Sequence, residues 1–139
     1  MKPIGFLKEH DLGLSGLKSV KQLVNPEISY DAIIFDKLLN YLETGVTVWG
    51  LLVWLHDEDG TSIGPCGLQT DGKWIWPSYF AYYLKKHPNI EIPVDFLEDV
   101  AENDFNVPNL SKKMLLEAEK YLVDFFKIKI PKSSKKNKS

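Results

Sequence analysis

Residues 47–76 hold three β-rich runs separated by two turn signals, and no other part of the chain restricts its topology as strongly. The first run, TVWGLLVWL (47–55), is rich in β-branched and aromatic residues. It is bounded by Gly45 and by His56-Asp57-Glu58-Asp59-Gly60, so it reads as a buried strand in which Gly50 marks a bulge or a close backbone approach. The second run, SIGPCGLQT (62–70), carries Pro65 and two glycines and reads as an edge or bulged strand. Asp71-Gly72 is a two-residue hairpin signal, because both central positions of a type I′ turn need positive φ. Residues 73–76 then return antiparallel, with Trp74 and Trp76 on one face by the two-residue period.

Helical patterns flank this meander. Ser29 is placed to cap a helix over residues 30–43, where Tyr30, Ile33, Ile34, Leu38, Tyr41 and Leu42 recur at helical spacing until Gly45. Pro77 suits the first turn of a helix continuing over 79–86, and Pro93 opens another with Val94, Leu97, Val100 and Ala101 on one face. Ser111 caps the last, in which Met114, Leu115, Ala118, Tyr121, Leu122, Phe125 and Phe126 form an apolar stripe ending before Pro131. Before residue 28 only a short amphipathic turn or helix is expected, stopped by Asn25-Pro26. The order predicts an α+β fold, a small antiparallel meander of about three strands packed against about four helices. Residues 1–130 are expected to form a single domain, and 131–139 a disordered lysine-rich tail.

Charge narrows the function classes. The formal net charge is −2, but the last eight residues contribute four lysines and no acid, so removing their +4 leaves the body at −6. All 17 basic residues are lysine, and the arginine fork that reads phosphate and guanine is missing. Nucleic-acid binding is therefore not expected. Neither is a membrane span, since the longest apolar segment, 46–55, is too short to cross a bilayer. The opening residues lack a signal-peptide pattern, and the single cysteine suits a reducing compartment, so a cytoplasmic protein is expected.

No catalytic set emerges. Cys66 has no family signature around it and reads as a small buried hydrophobe. His10, His56 and His87 lack metal-like spacing, and the acids of 57–59 read as a solvated hairpin loop, not a calcium loop. No cofactor, metal site or enzymatic activity is expected. Two features stand out instead. Glu91, Asp95, Glu98, Asp99, Glu102 and Asp104 place six acids in fourteen residues without a base; on a helix, Asp95, Glu98, Asp99 and Glu102 share a face whose mutual repulsion a cationic partner would relieve. The aromatics of 79–83 cover more than half of their helix, so Tyr79, Tyr82 or Tyr83 is expected at a surface or interface.

The strings Tyr41-Leu42-Glu43-Thr44-Gly45, LQTDGKWIWP (68–77), Tyr82-Tyr83-Leu84 and Ile92-Pro93-Val94-Asp95-Phe96-Leu97 resemble a group of small bacterial proteins, mostly uncharacterised, that share a TDG.W.WP hairpin exit. Asp71, Gly72, Trp74, Trp76 and Pro77 carry that motif, and the resemblance spans roughly residues 30–100, with Ile92 where a leucine is more usual. The group is similar to the immunity proteins of polymorphic and contact-dependent toxin systems. The resemblance implies a non-enzymatic binder of a cognate toxin, such as a basic, nuclease-like one, and it transfers no catalytic residue. The contact surface would comprise Asp95, Glu98, Asp99 and Glu102 with Tyr79, Tyr82 and Tyr83, on a monomer or weak homodimer. The alternative is a small-ligand-binding or regulatory domain with a pocket between the tryptophan hairpin and the helix of 79–86.

Overall fold

The computed structural model describes residues 1–10 and 14–126; the expected tail at 131–139 lies outside them. Four strands, β1 (Lys2–Pro3), β2 (Val46–His56), β3 (Ser62–Thr70) and β4 (Trp74–Pro77), form one sheet in the order β1-β4-β3-β2. The helices are α1 (Val20–Leu23), α2 (Ala32–Glu43), α3 (Tyr79–Lys86), α4 (Val94–Glu102) and α5 (Lys112–Phe126), with a 3₁₀ turn at Lys8–His10. The α+β class and the β2-β3-β4 meander stand as expected. The sheet gains a fourth strand, β1, which runs parallel to β4, and there are five helices instead of four among the described residues.

Two apolar clusters lie on opposite faces of the sheet. Trp74, Trp76, Leu55 and Cys66 meet buried residues of α2, α3 and α4 on one face, where Phe96 is fully buried. Leu68 and Ile75 meet Phe6, Ala118 and Leu122 on the other, beneath α5. β4 is consequently buried on both sides, and only its tryptophan face was legible from the period of two. Phe96 sits edge-on to Trp74, Trp76 and Tyr41, at centroid distances of 5.2, 6.0 and 6.5 Å, and was missing from the expected apolar face of α4. Val94 and Ala101, expected there, are exposed.

Several local expectations are corrected. β2, read as buried, is an edge strand: Val53 and Trp54 are exposed, and register shifts fall on both sides of Gly50, where a side chain would meet open space. β3, read as an edge, is interior over Leu68–Thr70, where β4 pairs with it. Pro65 is tolerated because that half of β3 pairs with β2 alone. In the hairpin the positive φ falls on Gly72 only (+97°), with Asp71 N–H bonded to the Trp74 carbonyl, so the central residues are Gly72-Lys73, one position later than expected. Pro77 pairs with Leu68 at the end of β4 instead of opening α3. Helix α2 starts at Ala32, not residue 30, because the Tyr30 hydroxyl is held away by the Ile90 carbonyl and the Ile92 N–H. Its N-cap is Asp31, which makes no side-chain capping bond. The Ser111 cap of α5 is present, its hydroxyl accepting from Met114 N–H at 3.2 Å.

Candidate functional site

Of the tyrosines of α3, Tyr79 and Tyr83 share an inward face and only Tyr82 reaches solvent. Tyr79 and Tyr83 are fully buried. The Tyr79 hydroxyl accepts from Leu7 N–H (3.0 Å), and the Tyr83 hydroxyl lies 2.8 Å from His10 Nε2. The His10 ring packs against both rings at 4.7 and 5.7 Å. Burial raises the pKa of both phenols and holds the imidazole below its ordinary 6.5. These two tyrosines fasten the N-terminal segment onto α3 and are removed from any contact surface, a correction to the expected set. Tyr82 is half-buried, and its hydroxyl donates to Asp57 Oδ2 at 2.7 Å.

That bond leads into the turn after β2, where Glu58 and Asp59 are exposed as expected of a solvated loop and Asp57 is buried. The Asp57 side chain is 1% exposed. Its Oδ1 accepts from the N–H groups of Asp59 and Thr61, both at 2.9 Å, closing the turn as an Asx motif. Asp57, Glu58 and Asp59 bring three carboxylates within 4.8 Å of one another, the spacing of a cation site. Lys86 supplies the cation: its Nζ lies 2.9, 2.9 and 2.6 Å from the three carboxylates, and His87 Nε2 meets Glu58 at 2.9 Å. The Tyr82 hydroxyl, then Lys86, hold the Asp57 carboxyl well below the usual carboxylate range, and Asp59, then Asp57 and Glu58, push the Lys86 ammonium up.

The acids of α4 divide differently. Asp99 points inward, its Oδ2 accepting from Trp74 Nε1 at 2.7 Å and its Oδ1 from Lys73 Nζ at 3.0 Å. The tryptophan bond, then the lysine, lower its pKa. Asp99 thus positions the hairpin and leaves the expected contact set. Asp95, Glu98 and Glu102 are exposed, and no cation among the described residues pairs with them. Asp71 is a third kind of acid: buried, it accepts from Tyr41 Oη at 2.6 Å and from the N–H groups of Lys73 and Trp74, while Asn103 donates to Tyr41 at 2.9 Å. That bridge ties α2, the hairpin and the end of α4, and sequence reasoning had no sign of Tyr41 or Asn103 in it.

Between the tryptophan hairpin and α3, where a pocket was expected, Trp76 and Tyr79 are fully buried. A depression of about 280 Å³ lies along α3 instead, walled by Glu43, Ile63, Pro65, Ala81, Tyr82 and Lys85. A cleft of about 540 Å³ opens between α1, the 3₁₀ turn and the acidic turn, where Val20, Val24 and Pro26 meet Glu9, Glu58 and His87. Burial pushes the Cys66 thiol up to about 11, leaving little thiolate near neutral pH, and its sulfur contacts the Gly67 carbonyl at 3.9 Å. Among the described residues no helix is long and apolar enough to cross a membrane. Comparison with known proteins finds no matching family model, no matching curated protein and no matching solved structure.

Proposed function

We propose that this chain is a non-enzymatic, cytoplasmic binding protein of the immunity type, which neutralises a cognate bacterial toxin by covering a basic surface on it. The observation that carries the reading is the α4 face: Asp95, Glu98 and Glu102 stand three and four residues apart, exposed and without a cationic partner among the described residues. Like charges at such spacing cost a few tenths of a kcal/mol each in the free protein and are relieved when a cationic surface docks. Asp99, Lys73 and Trp74 support that face from behind, and Tyr82 is the only one of the three candidate tyrosines with solvent access.

Coexpression with the product of the neighbouring open reading frame tests the reading. The expected result is growth rescue and a complex that copurifies at low ionic strength and weakens as salt rises. A harmless neighbour, or no complex at low salt, overturns it.

The cleft of about 540 Å³ favours a second reading, a small-ligand or regulatory domain, because an apolar floor with a few polar groups at its edge is the usual make-up of a ligand pocket. A metabolite panel that raises the melting temperature without any protein partner would favour it over the first.

A further inference from the structure

Beside the acidic face, the starts of α2 and α4 leave apolar side chains in solvent. Ile33 is 67% exposed, Ile34 39% and Val94 65%. The Tyr30 hydroxyl brings these starts to the same end of the molecule, donating to the Ile90 carbonyl at 3.0 Å and accepting from the Ile92 N–H at 2.9 Å. The same end holds a groove of about 310 Å³, walled by Ile28, Tyr30, Ala32, Phe35, Pro88 and Asn89, with Ile33, Ile34 and Val94 outside its walls. The Tyr30 and Phe35 rings stack within it, 6.1 Å apart and 15° from parallel.

Folding gains little from an isoleucine left two-thirds in water, and contiguous exposed apolar surface rimmed by polar groups marks interaction sites. The rim here is of one sign. Glu27, Asp31, Asp36, Glu91 and Asp95 are exposed around this end, and none has an ion-pair partner among the described residues. The one cation of α2, Lys37, lies over the Phe105 ring at 5.9 Å.

We propose that this end is a docking groove for a basic amphipathic segment of a partner protein, one apolar side chain entering between Tyr30, Phe35 and Pro88 while flanking lysines or arginines meet the acidic rim. The proposal rests on the toxin-binding reading for the identity of the partner, but not for the groove. Charge selects this occupant. A second copy of the chain would set five carboxylates against five, and anionic lipid or nucleic acid would meet the same repulsion. The lysine-rich stretch 132–139 has no apolar side chain to fill the groove.

The test uses the isotope-labelled full chain and three synthetic probes: a helical peptide of lysine and leucine with leucines three and four apart, oligolysine of equal charge, and the first peptide with leucine replaced by glutamine. The lysine–leucine peptide should shift the amide resonances of Tyr30, Ile33, Ile34, Phe35 and Val94 and bind about tenfold more tightly than the other two. The double variant Ile33→Ser, Val94→Ser should lose that advantage and keep its melting temperature, since both side chains are exposed. Equal binding of all three probes, shifts centred on Trp54, or concentration-dependent shifts without peptide would each overturn the groove. A harmless neighbour sinks the toxin reading and leaves a mapped groove standing; full growth rescue by the double variant sinks the groove and leaves the toxin reading standing.

Discussion

The turn after β2 and the face of α4 are both crowded with acids, yet they have opposite electrostatic outcomes. Asp57, Glu58 and Asp59 converge on Lys86, which pairs with each of them inside the fold and offsets part of their charge. On α4 only Asp99 finds donors, and Asp95, Glu98 and Glu102 project charge outward. Acid density alone therefore does not identify a binding surface; what distinguishes the two is a lysine 27 to 29 residues away in sequence. Asp71 lies between these cases, a buried carboxylate satisfied by neutral donors.

Removing the cation should break the contrast most visibly. Lys86→Met leaves the Asp57 side chain, 1% exposed, beside two further carboxylates, and this substitution should produce the largest fall in melting temperature. Millimolar calcium should restore part of that loss in the variant and leave the parent unchanged, read by thermal denaturation, because the three carboxylates already lie within 4.8 Å. Next comes Tyr41→Phe, which takes one donor from buried Asp71 and one acceptor from Asn103; urea denaturation should show a loss of about 1–3 kcal/mol.

Acid titration separates the regions by pH. His10 has its pKa lowered in the folded protein, so the unfolded chain binds more protons there, and stability present above 6.5 declines as pH falls below it. Asp57 has the same sign in a lower window: its contribution is present above 3.8 and is lost as pH falls further. His10→Gln should flatten the first slope and Asp57→Asn the second, both measured as urea midpoints against pH. The smallest stability effect belongs to the α4 face. The triple variant Asp95→Asn, Glu98→Gln, Glu102→Gln should change stability by only a few tenths of a kcal/mol, in the stabilising direction, while weakening partner capture at low salt.

The meander, the bounds of α3 and the Ser111 cap follow from local pattern, and each is present. What local pattern cannot carry is which strand lies outermost. The run 47–55 is apolar enough to be central, yet β2 is an edge, and the strand the sheet gains, Lys2–Pro3, covers β4 on the far side instead. No period can be read from two residues. Three of the expected contact residues turn inward for a related reason: Tyr79 and Tyr83 are claimed by Leu7 and His10, 72 and 73 residues away, and Asp99 by Trp74, 25 away. Surplus aromatics were a sound reason to expect an interface, but the partner for two of them was the chain's own N-terminal segment.

That N-terminal fastening sets an order of events in folding. The β2-β3-β4 hairpins close short loops, whereas β1 can join only once β4 exists, and the 3₁₀ turn can seat only once α3 presents Tyr79 and Tyr83. Loop-closure entropy places such distant contacts late, so residues 2–10 gain their partners on β4 and α3 after the local hairpins have closed. Until β1 joins, the flank of β4 that it covers is an open strand edge able to misassociate.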